Sequence, residues 1–304
     1  MDGILNILKP SGMTSHDVVS YIRRLTGIKK VGHTGTLDPG AIGVLPICLG
    51  RATKAAEYIT EGTKKYRTEM KLGVVTDTGD KDGTVITSTN WKDFIDTDNL
   101  LDQIQEVIKN FSGQISQVPP MYSAVKIDGK KLYELARKGQ EIERKPRNIE
   151  IYELKIIEIS GDEGTILFDV TCSKGTYIRV LCEDIGKAIG CGAHMSYLIR
   201  METTGFNITD SYTLEQIEQL FKNNKLNEAV VPIEIIFNNL PKIEVSDPND
   251  QKRFMNGMDI SINANIINDQ KVRIYFYNKF IAIANVVNNG TIVKIKVDKF
   301  FSLQ

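Results

Sequence analysis

The chain has 304 residues, of which 41% are hydrophobic and 25% are charged, and its 38 basic residues balance 38 acidic ones. These values exclude collagen-like, coiled-coil and intrinsically disordered proteins, and the zero net charge excludes a surface that is basic all round. A chain of this length is expected to form one large domain and a small one.

Targeting and metal-binding signals are missing from the sequence. No apolar run approaches the roughly 20 residues that a membrane helix needs, and the N-terminal residues lack the pattern of a secretion signal. We therefore expect a cytoplasmic protein without a membrane partner. The four cysteines and three histidines are scattered, without the spacing that is typical of metal sites, so no metal is expected.

The elements predicted first along the chain are a strand and a helix. Apolar residues 4–8 precede Pro10 and Gly12, which predicts a strand followed by a turn. Ser15 is placed to cap a helix whose apolar side chains recur at helical spacing until Gly27. Later patterns predict strands at 66–72, 149–159 and 166–172, and helices at 100–111 and from 213, where Thr213 and Gln216 form a capping box.

The composition changes near residues 238–241, and the rest of the chain is typical of a β-rich module. Short strands are predicted at 272–277, 280–287 and 291–297, with Asn289–Gly290 as a hairpin turn. The earlier strands and helices do not alternate regularly, which favours an α/β domain of the α+β class with a mixed, largely antiparallel sheet and flanking helices. The predicted domains are residues 1–238 and 239–304.

Residues 32–45 carry the strongest chemical signal. Their glycines permit unusual backbone conformations, and Pro39 stiffens the chain directly after Asp38. Such a loop can hold a carboxylate in one place. The residues alone leave open a glycine-rich turn in which Asp38 only accepts hydrogen bonds from backbone N–H groups.

This stretch resembles the G-H-x-G-x-L-D-P-x-A-x-G-x-L motif of the TruB family of tRNA pseudouridine-55 synthases, which RNA-guided dyskerin-type enzymes share. The resemblance implies that Asp38 is the essential aspartate and that His33 helps to hold the displaced nucleotide outside the RNA stack. It also implies the pseudouridine synthase fold, isomerisation of uridine 55 in the T-arm of tRNA, and no cofactor.

Three more segments resemble family motifs. Residues 9–15 match K-P-x-G-x-T-S and residues 50–54 match G-x-A-T-K, which implies Lys9 and Lys54 as substrate-binding residues. Tyr66 belongs to a K-x-Y motif, and the resemblance implies that it packs on the target base and takes part in catalysis. The alternative is a strand aromatic that faces the core.

Residues 173–179 resemble a further family motif that contains Tyr177 and Arg179. Because residues two apart on a strand face the same way, we expect Tyr177 to line the pocket and Arg179 to pair with Asp38. A neighbouring guanidinium favours the charged form of a carboxylate. The alternative is an edge-strand arginine in solvent.

Two last segments complete the resemblance. Residues 192–200 resemble an A-H-x-x-x-L-x-R segment, which implies that Leu198 is an apolar wall of the uracil pocket, whereas His194 is structural. Residues 118–126 resemble the P-P-x-Y-S-A-x-K entry to an insertion, predicted at about 120–147, that closes over the tRNA arm. This segment is rich in basic residues, including Lys126, and could neutralise phosphates; a charged surface helix is the alternative.

Two other functions stay open at this point. One is a tRNA-binding or tRNA-folding factor that grips RNA without turnover, and the other is a guide-RNA-dependent synthase of the dyskerin type. The basic insertion favours a stand-alone enzyme, so the expected partner is the T-arm of tRNA, without a guide RNA and with the protein as a monomer. The β-rich tail looks like the small RNA-binding PUA domain of such enzymes.

Overall fold

The structure is a computed structural model that describes residues 1–123, 125–127, 129–262, 270–288 and 293–302. The predicted Asn289–Gly290 turn lies outside these residues, as does the beginning of the third C-terminal strand. Within the described residues, a ten-stranded sheet forms the centre of the larger part of the molecule, and a separate five-stranded sheet follows it in the chain.

Ten described strands build the large sheet: β1 Gly3–Lys9, β2 Val31–His33, β3 Ile42–Leu49, β4 Lys64–Leu72, β7 Gly113–Gln117, β10 Arg147–Ser160, β11 Thr165–Cys172, β12 Ala193–Thr203, β13 Phe206–Asn207 and β14 Val230–Val231. Two small hairpins stand apart from it: β5 Val74–Thr76 with β6 Val85–Ser88, and β8 Lys126–Ile127 with β9 Lys130–Lys131.

Seven α-helices are described: α1 Ser15–Thr26, α2 Ala56–Glu61, α3 Leu100–Lys109, α4 Leu132–Ala136, α5 Ile178–Ile189, α6 Leu214–Lys222 and α7 Pro248–Met255. Short 3-10 helices connect other elements: Gly50–Ala55, Trp91–Asp93, Thr97–Asn99, Ile208–Asp210, Leu226–Ala229 and Ile233–Phe237. None of the helices in the described part of the chain is long and apolar enough to cross a membrane.

The large sheet is mixed but largely antiparallel. Its main order is β14-β1-β3-β12-β4-β11-β10-β7, and among the described pairings of this sheet β3 and β12 form the parallel one. In β11 every second residue is buried, as its sequence alternation predicts. The predicted fold class, a mixed sheet with flanking helices, is therefore confirmed.

The structure places the first helix cap one residue earlier than predicted. Thr14, not Ser15, is the N-cap, and its side chain forms a reciprocal capping box with Asp17. Ser15 is already helical, and its buried hydroxyl bonds elsewhere. Gly27 ends the helix with φ of 71°, as expected of a left-handed C-cap.

The buried face of the central strand β12 does not follow from its apolar alternation. Its odd-numbered residues from 193 to 201 are apolar, yet Tyr197 is exposed, Arg200 is buried, and the pairing with β4 shifts register twice. Both edges of this strand are nevertheless paired, because it lies between β3 and β4 in the sheet. Tertiary pairing therefore decides this element, which brings two distant motif segments side by side.

The C-terminal part is β-rich. Its strands are β15 Lys242–Glu244, β16 Ile260–Ile262, β17 Lys271–Phe276, β18 Lys279–Asn288 and β19 Val293–Phe300, in the order β15-β17-β18-β19-β16. A core of its own lies around buried Phe254, Ile274 and Ile295. The fold prediction of a small β-rich C-terminal domain is confirmed, whereas the boundary at residue 238 stays a prediction.

Apolar and polar contacts join the two parts. Phe237 packs against Phe280 and Phe301, with ring centroids 6.0 and 5.5 Å apart. The Tyr58 hydroxyl donates to Asp298 at 2.8 Å, and burial raises the pKa of Tyr58 to about 12, with the Asp298 contact adding to the shift. The β-rich domain is therefore docked on the larger part by a defined interface.

Candidate active site

Asp38 lies in the loop between β2 and β3, and the residue before it is held by α1. The Leu37 N–H donates to the Ser15 hydroxyl oxygen at 2.8 Å, and that hydroxyl donates to the Leu37 carbonyl at 3.2 Å. Both residues are buried. Because one side chain satisfies both backbone groups of Leu37, the approach to Asp38 has a fixed conformation.

The residue after Asp38 is held by the first turn of the chain. The Pro39 carbonyl accepts from the Gly12 N–H at 2.9 Å and from the Lys9 ammonium at 3.1 Å. Lys9 is completely buried, and its ammonium also donates to the carbonyls of Pro10 and Met13. Burial lowers the pKa of Lys9 to about 8, although the Asp38 charge opposes this. Lys9 therefore supports the loop from inside the protein.

Arg179 reaches Asp38 from the first turn of α5. Its Nε lies 3.1 Å from Asp38 Oδ2, so the predicted pairing is present. The predicted strand is wrong: Tyr177 is the N-cap of a helix that begins at Ile178. The chain turns there because the buried Gln117 amide accepts from the Tyr177 N–H at 2.8 Å and donates to its carbonyl at 3.0 Å.

The remaining donors of Arg179 bind two loops. Its Nη1 donates to the Thr78 carbonyl at 3.0 Å and lies 3.7 Å from Asp80 Oδ2, and its Nη2 donates to the Tyr122 carbonyl at 2.8 Å. The side chain is only 6% exposed. A guanidinium with all its branches engaged in this way has one orientation, and here it joins the Asp38 loop to the start of the predicted insertion.

The Asp38 carboxyl is partly open to solvent, with 40% of its side chain exposed. Its pKa is nevertheless raised above the usual value, because the loss of solvation on burial outweighs the nearby Arg179. The Asp80 charge raises it further. Arg179 thus favours the charged form, as expected, but does not by itself set the direction of the shift.

Tyr66 and Leu198 lie on neighbouring strands beside this pair. In the β4–β12 pairing, Leu198 is opposite Thr68 and Tyr66 is opposite Arg200. Leu198 is buried in the same core cluster as Leu37, and the partly buried Tyr66 packs against that cluster. Burial raises the pKa of Tyr66. Both side chains therefore pack in the core that Leu37 of the Asp38 loop also enters.

The other predicted site residues are His33, Tyr177, Lys54 and Lys126. His33 lies at the end of β2, where its Nδ1 accepts from the Gly35 N–H at 3.3 Å, and burial lowers its pKa. Tyr177 is partly exposed directly before α5. Lys54 lies elsewhere, because its ammonium donates to the Phe300 carbonyl of the C-terminal domain at 3.2 Å. Lys126 belongs to β8, and its side chain is outside the described part of the structure.

Family models match most of the larger domain. The model of the TruB family pseudouridylate synthase N-terminal domain matches residues 23–178, and that of the tRNA pseudouridylate synthase B C-terminal domain matches residues 179–238. The chain belongs to the TruB family. The predicted family is therefore confirmed.

Similar proteins agree with this TruB assignment over nearly the whole chain. A tRNA pseudouridine synthase B of Alkaliphilus oremlandii is 45% identical over 95% of this chain and 94% of its own length. That of Clostridioides difficile is 41% identical over 99% and 100%. The prediction of a pseudouridine synthase that isomerises uridine in tRNA is therefore confirmed.

Solved structures show the same fold. A chain of a Cbf5-Nop10-Gar1 complex superimposes with a TM-score of 0.74 at 28% identity, over 99% of this chain and 85% of that one. A chain of an H/ACA RNP bound to a substrate RNA containing 2′-deoxyuridine has a TM-score of 0.72 at 26% identity, with coverage of 99% and 85%. The TruB chain therefore shares its architecture with chains of these two assemblies.

Sequence reasoning missed several residues that build this TruB site. Asp80 and Thr78 meet Arg179 from the loop before β6, Gln117 fixes the start of α5, and Arg200 of β12 is the cross-strand partner of Tyr66 in β4. Arg200 stands in the quoted A-H-x-x-x-L-x-R segment, but nothing in its spacing shows that it is buried. The other three are ordinary polar residues whose position depends on distant partners.

The site pairs an accessible carboxylate with a buried cation. Leu198 lies in the same core cluster as Leu37, the residue before Asp38, and Tyr66 packs against that cluster. Within the described residues, no group of three or more histidine, cysteine, aspartate or glutamate side chains is placed to hold a metal ion. Asp38 and Arg179 are therefore the paired charged groups at this loop.

Proposed function

We propose that this chain converts uridine 55 in the T-arm of tRNA into pseudouridine and that Asp38 is the residue that starts the reaction. The observation that carries the proposal is the pair formed by an accessible Asp38 and a buried Arg179, with 3.1 Å between Oδ2 and Nε. An acid held in this way can meet a nucleotide that has left the RNA stack. The family membership and the names of the relatives support the substrate class.

The reaction exchanges one bond to the sugar for another. The bond between N1 and C1′ breaks and its electron pair leaves with the uracil; the base then turns, and C5 bonds to C1′. The proton that C5 loses is balanced by one gained at N1. Asp38 either attacks the sugar covalently or helps to abstract a sugar proton, and both routes begin from its ionised form.

The uridine must first leave its stack, which costs a few kcal/mol that RNA binding has to offset. His33 borders the Asp38 loop and is proposed to hold the displaced nucleotide. Tyr66 and Leu198 are proposed to keep the detached base in place while it turns, and Tyr177 to line the same pocket. Arg179 keeps the Asp38 carboxylate oriented.

RNA binding is assigned to the insertion at about 120–147 and to the C-terminal PUA-like domain at 239–304. The insertion carries exposed basic side chains that can neutralise phosphates, among them Arg137, Lys138 and Lys145. Lys126 belongs to this set, and Lys54, at the junction of the two domains, is proposed to extend it. Lys9 is buried, so it acts on the substrate only through the loop.

We further propose that the protein acts in the cytoplasm as a monomer and without a guide RNA. The relatives named tRNA pseudouridine synthase B match over almost their whole length, whereas the solved structures with the same fold belong to assemblies with additional proteins or RNA. The basic segment between β7 and β10 gives this chain its own surface for the tRNA arm.

The test is to incubate the purified protein with an unmodified tRNA transcript and to map pseudouridine at nucleotide resolution, with no guide RNA present. We expect one modified uridine, at position 55. The matched control is Asp38→Asn, which should bind the transcript as the wild type does and form no product. Product formation by that variant would reject the role of Asp38, and modification elsewhere would reject the site.

A further inference from the structure

Arg200 is a buried cation at the centre of the large sheet. It belongs to β12, and the residue is 1% exposed. It is directly opposite Tyr66 in the antiparallel pairing with β4 and opposite Gly43 in the parallel pairing with β3. At Gly43, whose φ is 114°, a Cβ atom would lie 2.3 Å from the Arg200 carbonyl oxygen. Only glycine permits this approach.

The guanidinium joins three elements that build the active site. Its Nε donates to the Val44 carbonyl in β3 at 2.7 Å, and its Nη2 donates to the Gly35 carbonyl in the Asp38 loop at 3.2 Å. The Arg200 guanidinium also lowers the pKa of the Tyr66 phenol, against the larger effect of burial, which raises it. Because arginine has donors only, the phenol oxygen would be the acceptor in a hydrogen bond between the two side chains. The cross-strand pairing thus sets Arg200 beside Tyr66.

This cation has no acidic partner within the described part of the chain. Asp38 and Asp80 pair with Arg179 instead, and no described carboxylate forms an ion pair with Arg200. A buried charge without a counter-charge is costly to keep. A neutral side chain would fill the same space at lower cost, so the charge itself needs an explanation.

The positive charge of Arg200 affects the pKa values of two other side chains, His33 and Lys64. Burial lowers the pKa of His33, and Arg200 is the next cause. Burial likewise lowers the pKa of Lys64 to about 8, again with Arg200 as the next cause. Neutral side chains gain little from such a field, but an anion above Tyr66 would gain much, because the surroundings are poor in water.

We propose that Arg200 is a positioning residue that acts through Tyr66: it holds the phenol ring against the flipped uracil and places a fixed positive charge beneath the base. When the bond between N1 and C1′ breaks, the uracil takes the electron pair and becomes an anion. Arg200 offsets that negative charge while remaining out of contact with the nucleotide. The inference rests on the proposed isomerisation and adds a residue to it.

The test measures single-turnover formation of pseudouridine and tRNA binding separately. Arg200→Lys keeps the charge and loses the forked donors, whereas Arg200→Gln keeps an amide donor and loses the charge. We expect both to slow the chemical step by about 10- to 100-fold, with the dissociation constant for tRNA unchanged to within about threefold. The melting temperature of each variant checks its fold.

The decisive measurement is a double-mutant cycle with Tyr66→Phe, which removes the hydroxyl through which Arg200 is proposed to act. If Arg200 acts through that hydroxyl, adding Arg200→Lys to Tyr66→Phe should cost less than about threefold. Equal losses in the two backgrounds would overturn the proposal. Loss of folding in both Arg200 variants would assign the residue to the scaffold and overturn it as well.

The matched control is Arg67→Lys. Arg67 adjoins Tyr66 in β4, but its guanidinium pairs with Asp169, with Nε and Oδ1 2.7 Å apart. This variant should keep the wild-type rate. The wild-type measurement separates the two levels of the proposal: no product from the wild type would reject the isomerisation and this inference together, whereas an active wild type with equal losses would reject only the role of Arg200.

Discussion

The Asp38 loop and the insertion after β7 are held in very different ways. On each side of Asp38 a backbone group is bound by a buried side chain, Ser15 before it and Lys9 after it. Much of the insertion is exposed to solvent, including every residue from 137 to 141. The Asp38 loop holds a carboxylate in one place, whereas the insertion exposes basic side chains that can meet a flexible phosphate backbone.

Arg179 connects these two regions. Its Nε binds Asp38, and its Nη2 binds the Tyr122 carbonyl where the insertion begins. Arg144 adds a weaker tie, since its Nη1 donates to the Pro119 carbonyl at 3.3 Å. Movement of the insertion upon binding RNA would therefore reach the carboxylate through one guanidinium. The contrast teaches that precision at the nucleophile and adaptability at the RNA surface are separate properties of this chain.

Removing Arg179 should have the largest effect, because both regions depend on it. For Arg179→Met we expect single-turnover formation of pseudouridine to fall by about 100-fold or more. The pKa of Asp38 is already raised by burial and lowered by Arg179. Without the cation it should rise further, so the acid limb of the pH–rate profile should move to higher pH. An unchanged limb would show that Asp38 is not the titrating group.

Removing the Lys9 ammonium should have the second largest effect. It should act on the reaction only through the Asp38 loop. Lys9→Met removes the ammonium donor from the carbonyls of Pro10, Met13 and Pro39, and we expect the free energy of unfolding to fall by about 2–4 kcal/mol. Turnover should also fall, with tRNA affinity retained. Chemical denaturation and binding assays measure these effects. Lys29→Met, at an exposed position, is the control, and an equal loss there would contradict the specific role of Lys9.

Ser15→Ala tests the same support of the Asp38 loop, and we expect a smaller effect than for Lys9→Met. The variant loses both bonds to Leu37, which should lower the free energy of unfolding by about 1–2 kcal/mol and slow the chemical step several-fold. Ser11→Ala provides a graded comparison, because the Ser11 hydroxyl makes one exposed bond to the Gly40 carbonyl at 3.2 Å. If Ser11→Ala slowed the reaction more than Ser15→Ala, the buried contact would not be what holds the loop.

Charge removal in the insertion should have the smallest effect on the reaction itself. For the double variant Lys138→Gln and Lys145→Gln we expect weaker tRNA binding. The slope of log affinity against log salt concentration should become shallower by about 1 for each of these lysines that neutralises a phosphate. The single-turnover rate at saturating tRNA should stay the same. Lys222→Gln, on the exposed face of α6, is the control. A fall in the saturating rate would show that the insertion also acts in the chemical step.

Much of the site was open to prediction because its motifs are local. The run around Asp38, the K-x-Y strand and the segment with Arg179 each fit in a few consecutive residues, and the resemblance follows from them. Helix ends were predictable for the same reason: the Thr213 capping box and the Gly27 C-cap depend on neighbours in the chain. The predicted strand at Arg179 was wrong, because Gln117, 60 residues earlier, turns the chain into a helix there.

The sequence by itself determined the family, the fold class and the identity of the residues proposed to react, since local spacing and composition carry these. Only the tertiary structure decided that Lys9 is buried next to the Asp38 loop, that Asp80 joins Arg179, and that Arg200 is paired with Tyr66 across two strands. Hydrogen bonds and charges act through distances of a few ångströms, and strand pairing brings together segments that lie far apart in the chain.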